Sequence, residues 1–306
     1  MSWFSLRRSP PEQPSPGVQA PLLNNRYRLG NRLGEGGSSL VYEADDLRTG
    51  QQVAIKLIRL PADLPTSQRQ EWLARLHREA ELARKLDHPD IVAVHEAGLQ
   101  GQQAWLAMER VRGVDLSRYT QRHLLLPENL VLRIGARVAA ALAHAHAQGV
   151  VHRDLKPANV LVNLAAGQVK LAVFGVARQE DAAATRTGMT LGTPAYMAPE
   201  QLAGAPASAA SDAYALGVML FELLSGRRPH QAATLGELLQ ATANQPPAQL
   251  ARLRPDLPAP AVAAVEQLLA RRSADRPADL DAWAASVAAL AALMTRVLAP
   301  SASTGL

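Results

Sequence analysis

From Tyr27 to Leu60 the apolar positions fall in short runs. "YRLGNRL", "SLVYEADD" and "QQVAIKLIRL" are cut apart by "GEGGS" and "LRTG". Short apolar runs bounded by glycine-bearing turns predict strands. A helical stretch follows, about Ser67 to Leu86, and then two more strand candidates, "IVAVHEAGL" and "QAWLAMERV". This part reads as a five-stranded antiparallel sheet with one helix. Beyond it the period changes. Asn129 to Gln148 is apolar nearly all round, the mark of a helix buried within a domain. A polar loop, two short strands ("VLV" and "VKLAVF"), a long loop and further helices lead to about Met294.

Two charges interrupt this pattern. Trp72, Leu76, Glu79, Ala83 and Leu86 are spaced 4, 3, 4 and 3 residues apart and share one helix face. Glu79 therefore stands in the stripe that meets the sheet, where an unpaired carboxylate is costly. In "VAIKLI" strand alternation puts Lys56 beside Ala54 and Ile58 on an apolar face. Only four of the 32 lysines and arginines are lysine: Lys56, Lys85, Lys156 and Lys170. A compact cation on a flexible stem is thus rationed, which singles out Lys56 and Lys156.

Composition narrows the class. The chain has 306 residues and a formal charge of +5, scattered without a basic stripe carrying interleaved aromatics, so nucleic-acid binding is not expected. With no cysteine, thiol catalysis and cysteine-zinc sites are excluded. No signal peptide is visible, and the Ala-rich stretch from Trp283 to Met294 is too short for a bilayer. The expectation is a cytoplasmic protein with no membrane span. Residues 1–25 hold Pro10, Pro11, Pro14, Pro16 and Pro21 and read as a disordered or extended arm.

Candidate chemistry sits in two loops. In "LGEGGSSLVY", Leu33 to Tyr42, glycines between two strands let backbone amides approach a phosphate. It is neither a Walker loop, since GK[ST] is missing, nor a Rossmann turn, since no helix follows. The second loop, "VVHRDLKPANVLV", packs His152, Arg153, Asp154, Lys156 and Asn159 into eight residues between an apolar helix and an apolar strand. His144 and His146, two residues apart on a helix, face differently, so a metal site is not expected and these histidines read as structural.

With "GEGGSSLVY", "VAIK", Glu79 in "REAELARKLDHPDIV", "HRDLKPAN", "FG", "GTPAYMAPE", Asp212 in "SDAYALG" and Arg276 in "DRP" in order, the chain from about Tyr27 to Leu290 resembles a bacterial serine/threonine protein kinase of the eukaryotic-like family. The resemblance implies an α+β, two-lobed kinase fold: arm 1–25, smaller β-rich lobe 26–109, larger helical lobe 110–290, tail 291–306. It implies ATP held by Leu33, Gly34, Glu35, Gly36, Gly37, Ser38, Ser39, Leu40 and Val41, by Lys56 paired with Glu79, and by the hinge Met108 to Val111. Backbone groups of Glu109 and Val111 would meet adenine, and Val41, Ala54 and Leu161 would sandwich it. Asp154 would accept the proton of a protein hydroxyl, Lys156 would neutralise the transferring phosphate, Asn159 would bind Mg2+, and Glu200 with Arg276 would brace the larger lobe. Thr185, Thr187 and Thr190 are the candidate phosphorylation sites; Thr193 would contact the catalytic loop instead. A protein substrate or signalling partner follows from the family; oligomeric state does not.

One residue departs from the pattern. Where the family has Asp-Phe-Gly, this chain has Val173-Phe174-Gly175. Magnesium wants hard oxygen ligands, and valine offers none. Losing a principal ligand costs on the order of 4 kcal/mol in the transition state, about a thousandfold in rate. Three readings stand: a slow kinase in which a carboxylate such as Glu35 helps the metal, a pseudokinase acting as a nucleotide- or protein-binding scaffold, or an ordinary kinase bearing an introduced change or a sequence error.

Overall fold

Strand alternation builds one unit of the protein. The computed structural model describes residues 21–35, 39–59, 65–100, 103–172 and 194–298. Strands β1 (Leu22–Leu23), β2 (Tyr27–Glu35), β3 (Ser39–Asp46), β4 (Gln52–Arg59), β5 (Val94–Gln100) and β6 (Gln103–Glu109) form an antiparallel sheet in the order β1-β2-β3-β4-β6-β5. On β4 every residue from Val53 to Ile58 is buried, because both faces of this central strand are covered. Val53, Ile55 and Leu57 pack with Tyr27 and Trp105. On the other face Ala54 packs with Val41, Leu106 and Met108 against Ala80 and Ala83 of helix α1 (Thr66–Arg84).

The sheet has six strands rather than the five expected. Leu22–Leu23 belongs to the sheet and not to the arm. Asn24 and Asn25 both take left-handed φ of 51°, which asparagine tolerates, and the tight turn returns Leu23 to the cluster around Tyr27. A two-residue strand is too short for alternation to reveal. For the same reason β7 (Val114–Asp115) escapes a pattern reading; it pairs with β8 (Val160–Asn163), which pairs with β9 (Gln168–Leu171). Gly113 permits that approach, since a Cβ there would lie 2.4 Å from the Val162 carbonyl oxygen.

These two sheets make up one compact unit, spanning residues up to Ser117 and Ala158–Thr190. The other unit, Arg118–Pro157 with residues from Leu191 onward, is helical. Its helices are α2 (Glu128–Ala147), α3 (Pro199–Leu202), α4 (Ala209–Ser225), α5 (Leu235–Asn244), α6 (Leu250–Leu253), α7 (Ala259–Leu268) and α8 (Leu280–Leu298). Helix α4 is buried from Ser211 to Ser225. The Ser208 side chain accepts from the Ser211 amide at its start, and Gly226 closes its end at φ 69°. Helix α2 packs on α4 and α8, and at Gly135 a Cβ would meet Leu220 at 2.7 Å. Among the described residues no helix is long and apolar enough to cross a membrane.

Candidate active site

The nucleotide-side candidates come together on the α1-facing side of the larger sheet. Val41 of β3 lies directly across from Lys56, and Leu106 of β6 flanks it on the other side. Lys56 is 5% exposed. Ala54 and Val41 share one apolar cluster, with Leu33 and Val111 packed against its edge. Along α1, Trp72, Leu76, Ala80, Ala83 and Leu86 are buried and Glu79 is half-buried among them, so the stripe lies where its spacing placed it. Leu33, Gly34 and Glu35 close β2 and Ser39 and Leu40 open β3, with Glu35 facing Leu40 across the pair. The Glu35 carboxylate is exposed and bonded to Arg32 at 3.1 Å.

Lys170, a residue with no role assigned from the sequence, ties β9 to the end of β6. Its Nζ donates to Glu109 Oε2 at 2.7 Å and to the Ile91 carbonyl at 3.2 Å. Glu109 is further fixed by two bonds with Ala93: its amide donates to the Ala93 oxygen at 2.8 Å, and its side chain accepts from the Ala93 amide at 3.2 Å. The scarcity of lysine was the signal available in the sequence. Leu161 lies on β8 beside Lys170. Asn159 is buried, and its backbone carbonyl accepts from the Ala172 amide at 2.8 Å, so the residue after β9 is bonded back to Asn159.

In the helical unit the loop after α2 is organised by one buried carboxylate. Asp212 of α4 is 2% exposed. Its Oδ2 meets the His152 amide at 2.7 Å and His146 Nε2 at 2.8 Å, and its Oδ1 accepts from the Arg153 amide at 2.9 Å. Arg153 is held at φ 68°, a conformation disfavoured for a side chain of this size, and the paired amide bonds offset that cost. The Asp154 amide donates to His152 Nδ1 at 3.2 Å, and the Asp154 carboxylate meets Lys156 Nζ at 2.9 Å, both side chains nearly buried. A carboxylate and an ammonium are thus presented together on the loop after α2.

Further along the same unit Arg276, its side chain fully buried, forms a bidentate pair with Glu200 at 2.6 and 2.8 Å and caps the carbonyls of Ala210, Ala270 and Arg271. Burial pushes the Glu200 carboxyl up, but the Arg276 bonds outweigh it and hold the group below its usual range. Gly36, Gly37, Ser38, Val173, Phe174, Gly175, Thr185, Thr187, Thr190 and Thr193 lie outside the described residues.

A sheet unit with a buried lysine, and a helical unit presenting an Asp-Lys loop from a buried aspartate, are the parts of a phosphotransfer enzyme. The chain belongs to the protein kinase family: the protein kinase domain matches residues 27–290. Among named relatives it is 38% identical to serine/threonine-protein kinase PknA of Mycobacterium tuberculosis, over 88% of this chain and 62% of that one. It is 35% identical to serine/threonine-protein kinase PrkC of Bacillus subtilis, over 83% and 38%. The chain thus spans less than two thirds of the length of these curated relatives. The crystal structure of the Mycobacterium tuberculosis PknI kinase domain matches with a TM-score of 0.68 and 31% identity, covering 88% of this chain and 97% of that one.

Proposed function

We propose that this chain is a serine/threonine protein kinase domain that transfers the ATP γ-phosphate to protein hydroxyls, slowed by Val173 in place of the metal-binding aspartate. The observation that carries the reading is the Asp154–Lys156 contact at 2.9 Å on a loop tied to Asp212. An aspartate beside a lysine suits a base that orients and deprotonates a hydroxyl next to a cation that neutralises phosphate. Lys56 holds the α- and β-phosphates and pairs with Glu79. The Glu109 carbonyl and Val111 amide meet adenine between Val41, Ala54 and Leu161, and the glycine turn covers the phosphates. The smaller lobe spans 26–109 and the larger 110–290. Phosphate on Thr185, Thr187 or Thr190 would pair with Arg153.

The donor set does not fit a tightly held magnesium. Asn159 offers one neutral amide oxygen and Val173 only hydrocarbon, whereas Mg2+ demands near-octahedral hard oxygens. This favours a second reading, a pseudokinase that binds nucleotide or a protein partner without phosphotransfer. Transfer of labelled phosphate from ATP, measured with and without Val173→Asp, tests both. The expected outcome is a rise of about a hundredfold or more in autophosphorylation on restoring the acid. Strong magnesium-dependent transfer by the unaltered chain would assign the ligand role to another carboxylate, Glu35 first. An inert Val173→Asp chain that also fails to bind ATP would leave the scaffold reading.

A further inference from the structure

The helical unit contains a cavity of about 330 Å³ between α4, α5 and the segment after α7, and no step of phosphotransfer uses it. Its apolar wall is Pro246, Pro247 and Leu269. Tyr214 and Thr242, residues 3% and 4% exposed, line the same cavity and carry hydroxyls. Neither hydroxyl has a hydrogen-bond partner among the described residues. Neither hydroxyl is sealed from solvent, so both are open to a ligand, and a few polar groups beside an apolar wall are what orients one. Burial pushes the Tyr214 phenol up to about 12, which keeps it a donor. Burial also holds His230, which lines the same space, below its usual range, so it is neutral near neutral pH.

Charge selects the partner. Arg271 is exposed at the cavity, and among the described residues no carboxylate lines it. The buried Arg276, 5.0 Å from the Tyr214 ring, is already matched by Glu200. The last turn of α5 opposes an anion with about half an elementary charge, less than the full charge on Arg271. The volume lies at the small end of ligand sites. We infer that this cavity binds a small organic anion, with its carboxylate or phosphate on Arg271 and the two hydroxyls and its apolar body against Pro246 and Pro247. This inference is independent of the kinase reading.

Calorimetric titration of the whole chain with benzoate, phenyl phosphate and the neutral benzamide tests it. At least one anion is expected to bind saturably, and the tighter of the two identifies the terminal group. Benzamide should bind at least about tenfold more weakly, and Arg271→Gln should weaken the anion by about tenfold while leaving benzamide unchanged. Because Arg271 is exposed, this variant should melt with the parent; Tyr214→Phe, which deletes one oxygen, should weaken the anion independently. No saturable binding of either anion, equal binding of benzamide, or unchanged anion affinity in both variants would overturn the inference.

Discussion

Lys56 and Asp154 are both charged groups held in fixed surroundings, and the protein fixes them by opposite means. Lys56 rides on a central strand whose two faces are covered by apolar clusters; packing holds the backbone and alternation decides where the ammonium points. Asp154 sits in a loop that has no ladder of its own. Three donors from that loop and the end of α2, the His152 and Arg153 amides and His146, converge on one carboxylate about sixty positions away in the chain. The strand is a local solution that tolerates its charge. The loop is a long-range polar solution that depends on its anchor.

The largest effect should come from removing that anchor. Asp212→Ala leaves the buried His152 amide, the partly buried Arg153 amide and an imidazole without an acceptor and frees a left-handed arginine. A loss of about 3–5 kcal/mol is expected, read from urea unfolding, together with faster hydrogen exchange at the amides of residues 152 and 153. A loss under about 1 kcal/mol would show that packing, not Asp212, holds the loop, and the contrast with β4 would collapse.

Lys56→Met probes the other half. Methionine has similar length and is at home in a core, but the change takes the cation from half-buried Glu79, so a stability loss of about 1–3 kcal/mol is expected, smaller than that of Asp212→Ala. ATP affinity, measured by calorimetry, should fall about tenfold or more through loss of a charged phosphate contact. A large stability loss with unchanged ATP affinity would make Lys56 a structural cation and remove it from the nucleotide site.

This difference also explains what could be read from the sequence. The stripe of Trp72, Leu76, Ala83 and Leu86, the alternation in "VAIKLI" and the all-round apolar α2 are periodic signals, and the structure places each as its period requires. The bond from Asp212 to residues 152 and 153, and that from Lys170 to Glu109, join positions some sixty apart and carry no period. Motif resemblance located Asp212 without saying what it holds. The strands Leu22–Leu23 and Val114–Asp115 failed for a third reason: two residues cannot show alternation. The cavity at Tyr214 was invisible because a tyrosine inside an apolar helix looks like core until its hydroxyl is found without a partner.

The smallest expected effect separates one carboxylate in each unit by sign. Asp115, in the sheet unit, is buried, and desolvation lifts its pKa above the ordinary 3.8 despite the bonds from Ser117. Folding therefore favours its protonated form. Its favourable contribution is full below the unfolded pKa and is lost as pH rises through the folded one. Glu200, in the helical unit, is shifted the other way: burial is outweighed by Arg276, and its pKa lies below the ordinary 4.5. Its contribution is full above that value and disappears as pH falls through the folded pKa. Neutral isosteres make the signs visible. As pH is lowered from about 6 to about 3, the stability of the parent relative to Asp115→Asn should rise, while its stability relative to Glu200→Gln should fall. Thermal melts of the three chains across that range provide the check. Two curves moving in the same direction would mean that Arg276 does not govern Glu200, and the helical unit would then rest on packing as the sheet does.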